Sequence, residues 1–145
     1  MPIGEGQHAG AILLPGEYQI MNAFLAVAIG GALGALSRYS FGLIAVGLLD
    51  NRLPWATFGV NVVGSFCIGI AAIAIGDRVI EGEFWRLLLV VGFLGAFTTF
   101  SAFSLETLLL LQQGNYNIAL AYATGSVALC LGATFAGMQL AKTFA

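Results

Sequence analysis

Charge is the scarcest thing in this sequence. Five Lys and Arg and seven Asp and Glu make up 8% of 145 residues, for a net charge of −2. A soluble domain carries about 25% charged residues, so a water-facing surface all round is excluded. So few cations also leave no basic patch to neutralise nucleic-acid phosphates. Histidine occurs once, as His8 in a polar stretch without partner ligands, and reads as a solvated residue. The two cysteines, Cys67 and Cys130, lie deep in apolar runs and read as small packing residues. Neither a disulfide framework nor a zinc site follows from them. No serine–histidine–carboxylate set, metal-ligand spacing or phosphate loop is present, so the chain is not read as an enzyme.

Apolar residues are what is abundant. They form 59% of the chain, and mean hydropathy is +0.95. Crossing a hydrocarbon core of about 30 Å takes about 20 mostly apolar residues. Four such spans are expected: Ala23 to Leu48, Trp55 to Ile75, Phe84 to Leu111, and Asn117 to Leu140. The connections between them run from Asp50 to Pro54, Gly76 to Glu83, and Gln112 to Asn117. Connections this short place neighbouring helices antiparallel, giving an all-α integral membrane bundle. Residues 1–20 read as a polar leader, disordered or ahead of a natural start at Met21, and residues 21–145 as the transmembrane domain. The leader lacks the basic start and cleavable apolar run of a signal peptide.

Orientation is poorly specified. The side shared by both termini holds Arg78, Arg86 and Lys142, and the other holds Arg52, with Arg38 inside the first span. Lys and Arg excess normally sets the inside face. A near-even count permits insertion both ways up. Small residues mark packing faces: Gly30 and Gly34 in the first span, Ser65 and Gly69 in the second. Such spacing lets helix backbones approach closely in lipid.

Within this apolar background the polar residues stand out. The run Gly92 to Glu106, GFLGAFTTFSAFSLE, sets Thr98 and Thr99 beside Gly95 in mid-span. These residues weaken a helix and offer oxygens instead. Irregular backbone survives in a bilayer only where protein or water covers it. The third helix is therefore expected to break and to line something. Arg38 either snorkels to the headgroups or draws anions into a pore vestibule. Asn61 shares a helix face with Thr57 and Ser65, and is either interhelical glue or an N–H donor aimed into a pore. Phe100 and Phe103 either pack a core or present their positive ring edges to a small, hard anion. The hydroxyls of Thr99, Ser101 and Ser104 bond back to the preceding turn or donate into a path. Tyr122, Ser126, Cys130 and Thr134 recur every four residues along the fourth span. A donor-rich path without acids favours anions over cations. Glu106 is the exception, open to reading as a vestibule residue, a proton-coupled gate or an interfacial carboxylate.

Four strings resemble the Fluc (CrcB) fluoride channels: GGALGALSRY (Gly30 to Tyr39), TFGVNVVGSFCIG (Thr57 to Gly69), GFLGAFTTFSAFSLE (Gly92 to Glu106) and AYATGS (Ala121 to Ser126). The likeness covers nearly all of the chain from Met21, and the third string is its most specific part. It implies an antiparallel dual-topology homodimer in the cell inner membrane, with two pores. Function would be passive export of fluoride that protects the cell from its toxicity. It also implies a structural Na+ at the dimer interface, bound by the backbone carbonyls of Gly95 and Thr98. By the same resemblance, Asn61, Phe100, Phe103, Ser101, Tyr122 and Ser126 line the fluoride pore, and Arg38 and Glu106 its vestibule. Two positions depart from the family pattern. Ala102 stands where many members have Thr or Ser, and Cys130 where some have another small hydroxyl residue. The competing expectations are a small multidrug-type proton-coupled antiporter, which would need a mid-membrane carboxylate, and a non-conducting membrane assembly subunit. The first span has no such carboxylate and Glu106 is near an end of the third, while an assembly subunit would not need Asn61, the Phe pair or the hydroxyl stripe.

Overall fold

A backbone in lipid must satisfy its own N–H and C=O groups, which for apolar runs of this length means helices. The computed structural model describes residues 15–48, 54–76 and 82–144. Four helical segments among them are long and apolar enough to cross a bilayer: Tyr18–Leu48, Trp55–Gly76, Glu83–Gln112 and Tyr116–Lys142. The first helix, α1, spans Pro15–Leu48, and the second, α2, spans Trp55–Gly76. α1 starts within the stretch read as a leader, since residues 15–20 form its first turns. Proline suits that opening position, since its missing N–H would have no helical partner there. Residues 1–14 lie outside the described residues, as do most of the first two expected connections. The third connection is a tight turn before α6 (Tyr116–Lys142), with Gly114 at φ +80°, a conformation that glycine adopts without strain.

The third span is not one helix. It opens with α3 (Glu83–Trp85), continues as a π-helical stretch over Arg86–Leu94, and returns to α-helix as α4 (Gly95–Phe97). The chain then leaves the helix at Thr98 and Thr99 and re-enters it as α5 (Phe100–Gln112). The break expected in mid-span is there, but Gly95 is not part of it. Gly95 is helical at φ −62°, ψ −35°, whereas Thr98 (φ −82°, ψ 157°) and Thr99 (φ −150°, ψ 114°) are extended. Extended backbone suits β-branched residues. The π-helical stretch had no counterpart in the sequence reading.

Packing follows the small residues. A Cβ on Gly30 would fall on the Leu88 carbonyl, and one on Gly34 on the Phe93 carbonyl, so α1 lies backbone to backbone against the π-helical stretch. On the other side of the bundle, a Cβ on Gly69 would meet the Thr134 carbonyl, and one on Gly137 the Phe66 carbonyl, which seats α2 on α6. The third span joins these pairs. Before its break it packs chiefly on α1; after it, on α6. The break is where one span changes partners. Large side chains such as Phe24, Leu36 and Leu131 remain exposed, as lipid contact allows.

The contrast between Gly30 and its neighbour Gly31, where a Cβ meets nothing, is testable. Overpacking of a tight contact costs about 1–3 kcal/mol. Gly30→Ala is expected to lower the thermal unfolding midpoint of the purified protein in detergent, and Gly31→Ala to leave it unchanged or raise it. Equal midpoints for the two variants would contradict the close α1 packing.

Candidate functional site

Two interrupted hydrogen-bonding patterns at Thr98 and Thr99 generate the site. In an unbroken helix the Thr99 N–H would donate to the Gly95 carbonyl. Here it donates to Asn61 Oδ1 at 2.7 Å, while Asn61 Nδ2 donates to the Thr99 carbonyl at 2.9 Å. The Ala102 N–H would likewise donate to Thr98; instead it donates to Thr99 Oγ1 at 3.2 Å, an N-cap for α5. Both diversions release a carbonyl oxygen, those of Gly95 and Thr98. The Thr98 N–H and hydroxyl both turn back to Leu94 O, at 3.1 and 3.0 Å. Asn61 is thus glue between α2 and the third span, and its second Nδ2 hydrogen is left over.

A groove of about 400 Å³ opens beside the break. Its wall includes Asn61, Thr99, Phe100, Phe103, Ser126 and Cys130, and it holds no acidic side chain. Phe100 and Phe103 pack with ring centroids 5.4 Å apart at 43°, and Phe103 meets Tyr122 at 5.4 Å and 45°. Phe100 is 76% exposed. Ser126, 5% exposed, is a buried hydroxyl without a hydrogen-bond partner. A buried polar atom normally has one, so Ser126 is a vacant donor in the groove wall.

Other expected site residues fall elsewhere. Ser101 does not line the groove; its hydroxyl lies 3.1 Å from Thr99 Oγ1. Tyr122 is turned from the groove, lining an apolar cavity with Trp55 and Phe58, and its hydroxyl donates to Glu106 Oε2 at 2.8 Å. Glu106 Oε1 accepts from Thr57 Oγ1 at 2.7 Å. Arg38 faces a separate groove with Tyr39, Thr57, Thr99 and Ala102, and no ion pair joins it to Glu106. Thr99 touches both grooves. The hydroxyls of Ser104, Thr107 and Thr134 bond back to Phe100, Phe103 and Cys130 carbonyls, the local alternative available to any helical Ser or Thr. Among the described residues no cluster of His, Cys, Asp or Glu could hold a metal ion.

Sequence reading missed the bond from Thr57 to Glu106. Its signal was the position of Thr57 on the polar face of α2, one turn before Asn61. It also missed the capping role of Thr99, which a serine or threonine at the start of a helix after a break would suggest.

Comparison with known proteins places this geometry in a family. Residues 25–138 match the family described as CrcB-like protein, Camphor Resistance (CrcB). Similar relatives include the fluoride-specific ion channel FluC of Phenylobacterium zucineum, 48% identical over 123 residues, which are 84% of this chain and 97% of that one. The protein of the same name from Caulobacter vibrioides is 46% identical over the same shares. That of Thermus thermophilus is 48% identical over 120 residues, 83% of this chain and 95% of its own. With four apolar spans and a match over most of its length, the chain is a multi-pass membrane protein that belongs to the CrcB family.

Proposed function

We propose that this chain conducts fluoride passively across the cell inner membrane, down its electrochemical gradient, and so protects the cell from fluoride. The reading agrees with the name its relatives carry. The observation that carries it is the groove at the helix break, which is lined by donors and two phenylalanine rings and by no carboxylate. Fluoride is small and strongly hydrated, so removing its water requires compensation at short range. The spare Asn61 N–H, the vacant Ser126 hydroxyl and the positive edges of Phe100 and Phe103 can supply it. The antiporter reading lacks its central group: Glu106 has both oxygens engaged by hydroxyls and lies outside the groove wall.

The proposal extends to an antiparallel homodimer with two pores. Phe100, so exposed in one subunit, would then be covered by the partner, and the balanced Lys and Arg count suits both orientations. The Gly95 and Thr98 carbonyls, stripped of their helical donors, are hard oxygen ligands that fit a sodium ion. Two carbonyls are too few to replace a hydration shell, and a twofold axis through the site would double them. Once bound, the cation would supply a fixed positive charge holding the two breaks together.

Two experiments test this. In liposomes loaded with fluoride, the wild type is expected to give fast efflux, with none of chloride. Asn61→Asp exchanges the donor to the Thr99 carbonyl for a repelling oxygen, and Phe100→Ile removes a ring edge. Each is expected to cut fluoride efflux by about 100-fold or more, on the scale of a buried polar group left without its partner. Normal efflux in both variants would overturn the pore assignment. Replacing all Na+ by N-methylglucamine is expected to lower the thermal midpoint of the detergent-solubilised dimer, and returning Na+ to restore it. A midpoint insensitive to the exchange would remove sodium from the assignment.

A further inference from the structure

α2 presents Asn61, Gly64, Ser65 and Ile68 to the groove at the break, a spacing that keeps all four on one helix face. By spacing alone Ser65 pairs with Gly69 as a packing residue, but the structure separates them. A Cβ on Gly69 would fall on the Thr134 carbonyl of α6, whereas Ser65 is half-buried in the groove wall. Gly64 sets it there. A Cβ on Gly64 would meet the Thr98 methyl and the Phe97 ring, so α2 touches the third span at that residue. The next residue is rotated by about 100° and borders the opening.

Four hydroxyl-bearing residues line the groove: Ser65, Thr98, Thr99 and Ser126. Thr98 donates to Leu94 O, and Thr99 Oγ1 accepts the Ala102 N–H. A helical serine ordinarily bonds back to the carbonyl four residues earlier, as Ser104 does to Phe100. The Ser65 hydroxyl makes no such bond to Asn61, nor any other among the described residues. Ser126 has no partner either. These two uncommitted hydroxyls stand at different depths. α2 and α6 run in the same direction: their first turns share an apolar cavity, and further along Gly69 meets Thr134 and Met138. Asn61 and Ser126 lie about two to three turns before that contact, and Ser65 about one turn before it. Around Ser65 the wall is made of Ile68, Val90, Leu94 and Leu131, with the thiol of Cys130.

We propose that Ser65 is a further ligand of the permeating anion, receiving it from the level of Asn61 and Ser126 and carrying it through the apolar end of the groove. A dehydrated anion in that stretch would otherwise meet aliphatic side chains, and a charge left without hydrogen bonds in such surroundings is costly. A hydroxyl that donates to an anion makes a stronger bond than one between neutral groups. Cys130 sharpens the need. A thiol is a weak donor, so the α6 side offers no hydroxyl beside Ser65, and α2 supplies the one uncommitted hydroxyl of the wall beyond Asn61. The assignment rests on the fluoride-channel reading.

Ser65→Ala removes the hydroxyl without adding bulk, and Ser65→Thr keeps it. In liposomes loaded with fluoride, Ser65→Ala is expected to lower efflux by about tenfold, the scale of one lost bond to a charged group. Ser65→Thr is expected to keep most of the wild-type rate. The thermal midpoint of Ser65→Ala in detergent is expected to stay level or rise, since alanine fits the same space and favours the helix. Wild-type efflux in Ser65→Ala, or an equal loss in Ser65→Thr, overturns the assignment and leaves the channel reading standing. A lowered midpoint in Ser65→Ala overturns it too, by making Ser65 a packing residue. Absence of efflux from the wild type itself overturns the channel reading, and the assignment with it.

Discussion

One amide side chain makes the rest of this structure possible. Asn61 takes the N–H and the carbonyl of Thr99 as a neighbouring strand would, with bonds of 2.7 and 2.9 Å. In hydrocarbon an unpaired backbone group costs several kcal/mol, so a helix cannot open there unless something replaces its bonds. Asn61 replaces the acceptor that the Thr99 N–H has lost and adds a donor to its carbonyl, and the Thr99 hydroxyl caps the helix that restarts. With acceptors supplied from the side for the Thr99 and Ala102 N–H groups, carbonyls upstream lose their helical donors and become available. Opening the helix and creating its polar features are the same event.

The surrounding packing holds that event in place. Glycine contacts bring α1 against the π-helical stretch and α2 against α6 with no side chains between backbones. The third span begins on the first pair and ends on the second. A straight helix could not serve both. The extended Thr98 and Thr99 supply the change of direction, and Gly64 of α2 lies close enough that a Cβ there would meet the Thr98 methyl. α2 runs along the break, meeting it at Gly64 and Asn61, and meets α5 beyond it where Thr57 bonds to Glu106.

Much of this was legible in the sequence because polar residues are conspicuous in an apolar chain. Four spans, the interrupted third helix and the polar face of α2 follow from composition and spacing. The resemblance located the same residues. What stayed illegible depends on distances between helices. Both roles read for Asn61 were chemically open, and only the approach of Thr99 shows that the glue role is filled. Tyr122 and Ser126 belong to one stripe by period, yet one is tied to Glu106 and the other has no partner. Gly95 looked like the break because glycine weakens helices, but it keeps helical angles. The extended residues are the β-branched pair that follows it. The early start of α1 escaped because its first turn is polar and hydropathy is blind to it.

Counting donors shows what kind of selectivity such a groove allows. Most hydroxyls of the third and fourth spans are already spent on local carbonyls or on Glu106. An ion entering the groove meets no fixed charge of either sign among the wall residues. It meets the spare Asn61 amide hydrogen, the hydroxyls of Ser65 and Ser126, and the rings of Phe100 and Phe103. A large, weakly hydrated anion gains little from so few contacts and is obstructed by the rings. A cation finds no carboxylate in the wall to pair with. A small, hard anion gains most, because each short contact to it is strong and its own size leaves room for the rings to close around it. On the proposed reading, discrimination rests on scarcity of donors and on the seating of the two rings, not on an attracting charge.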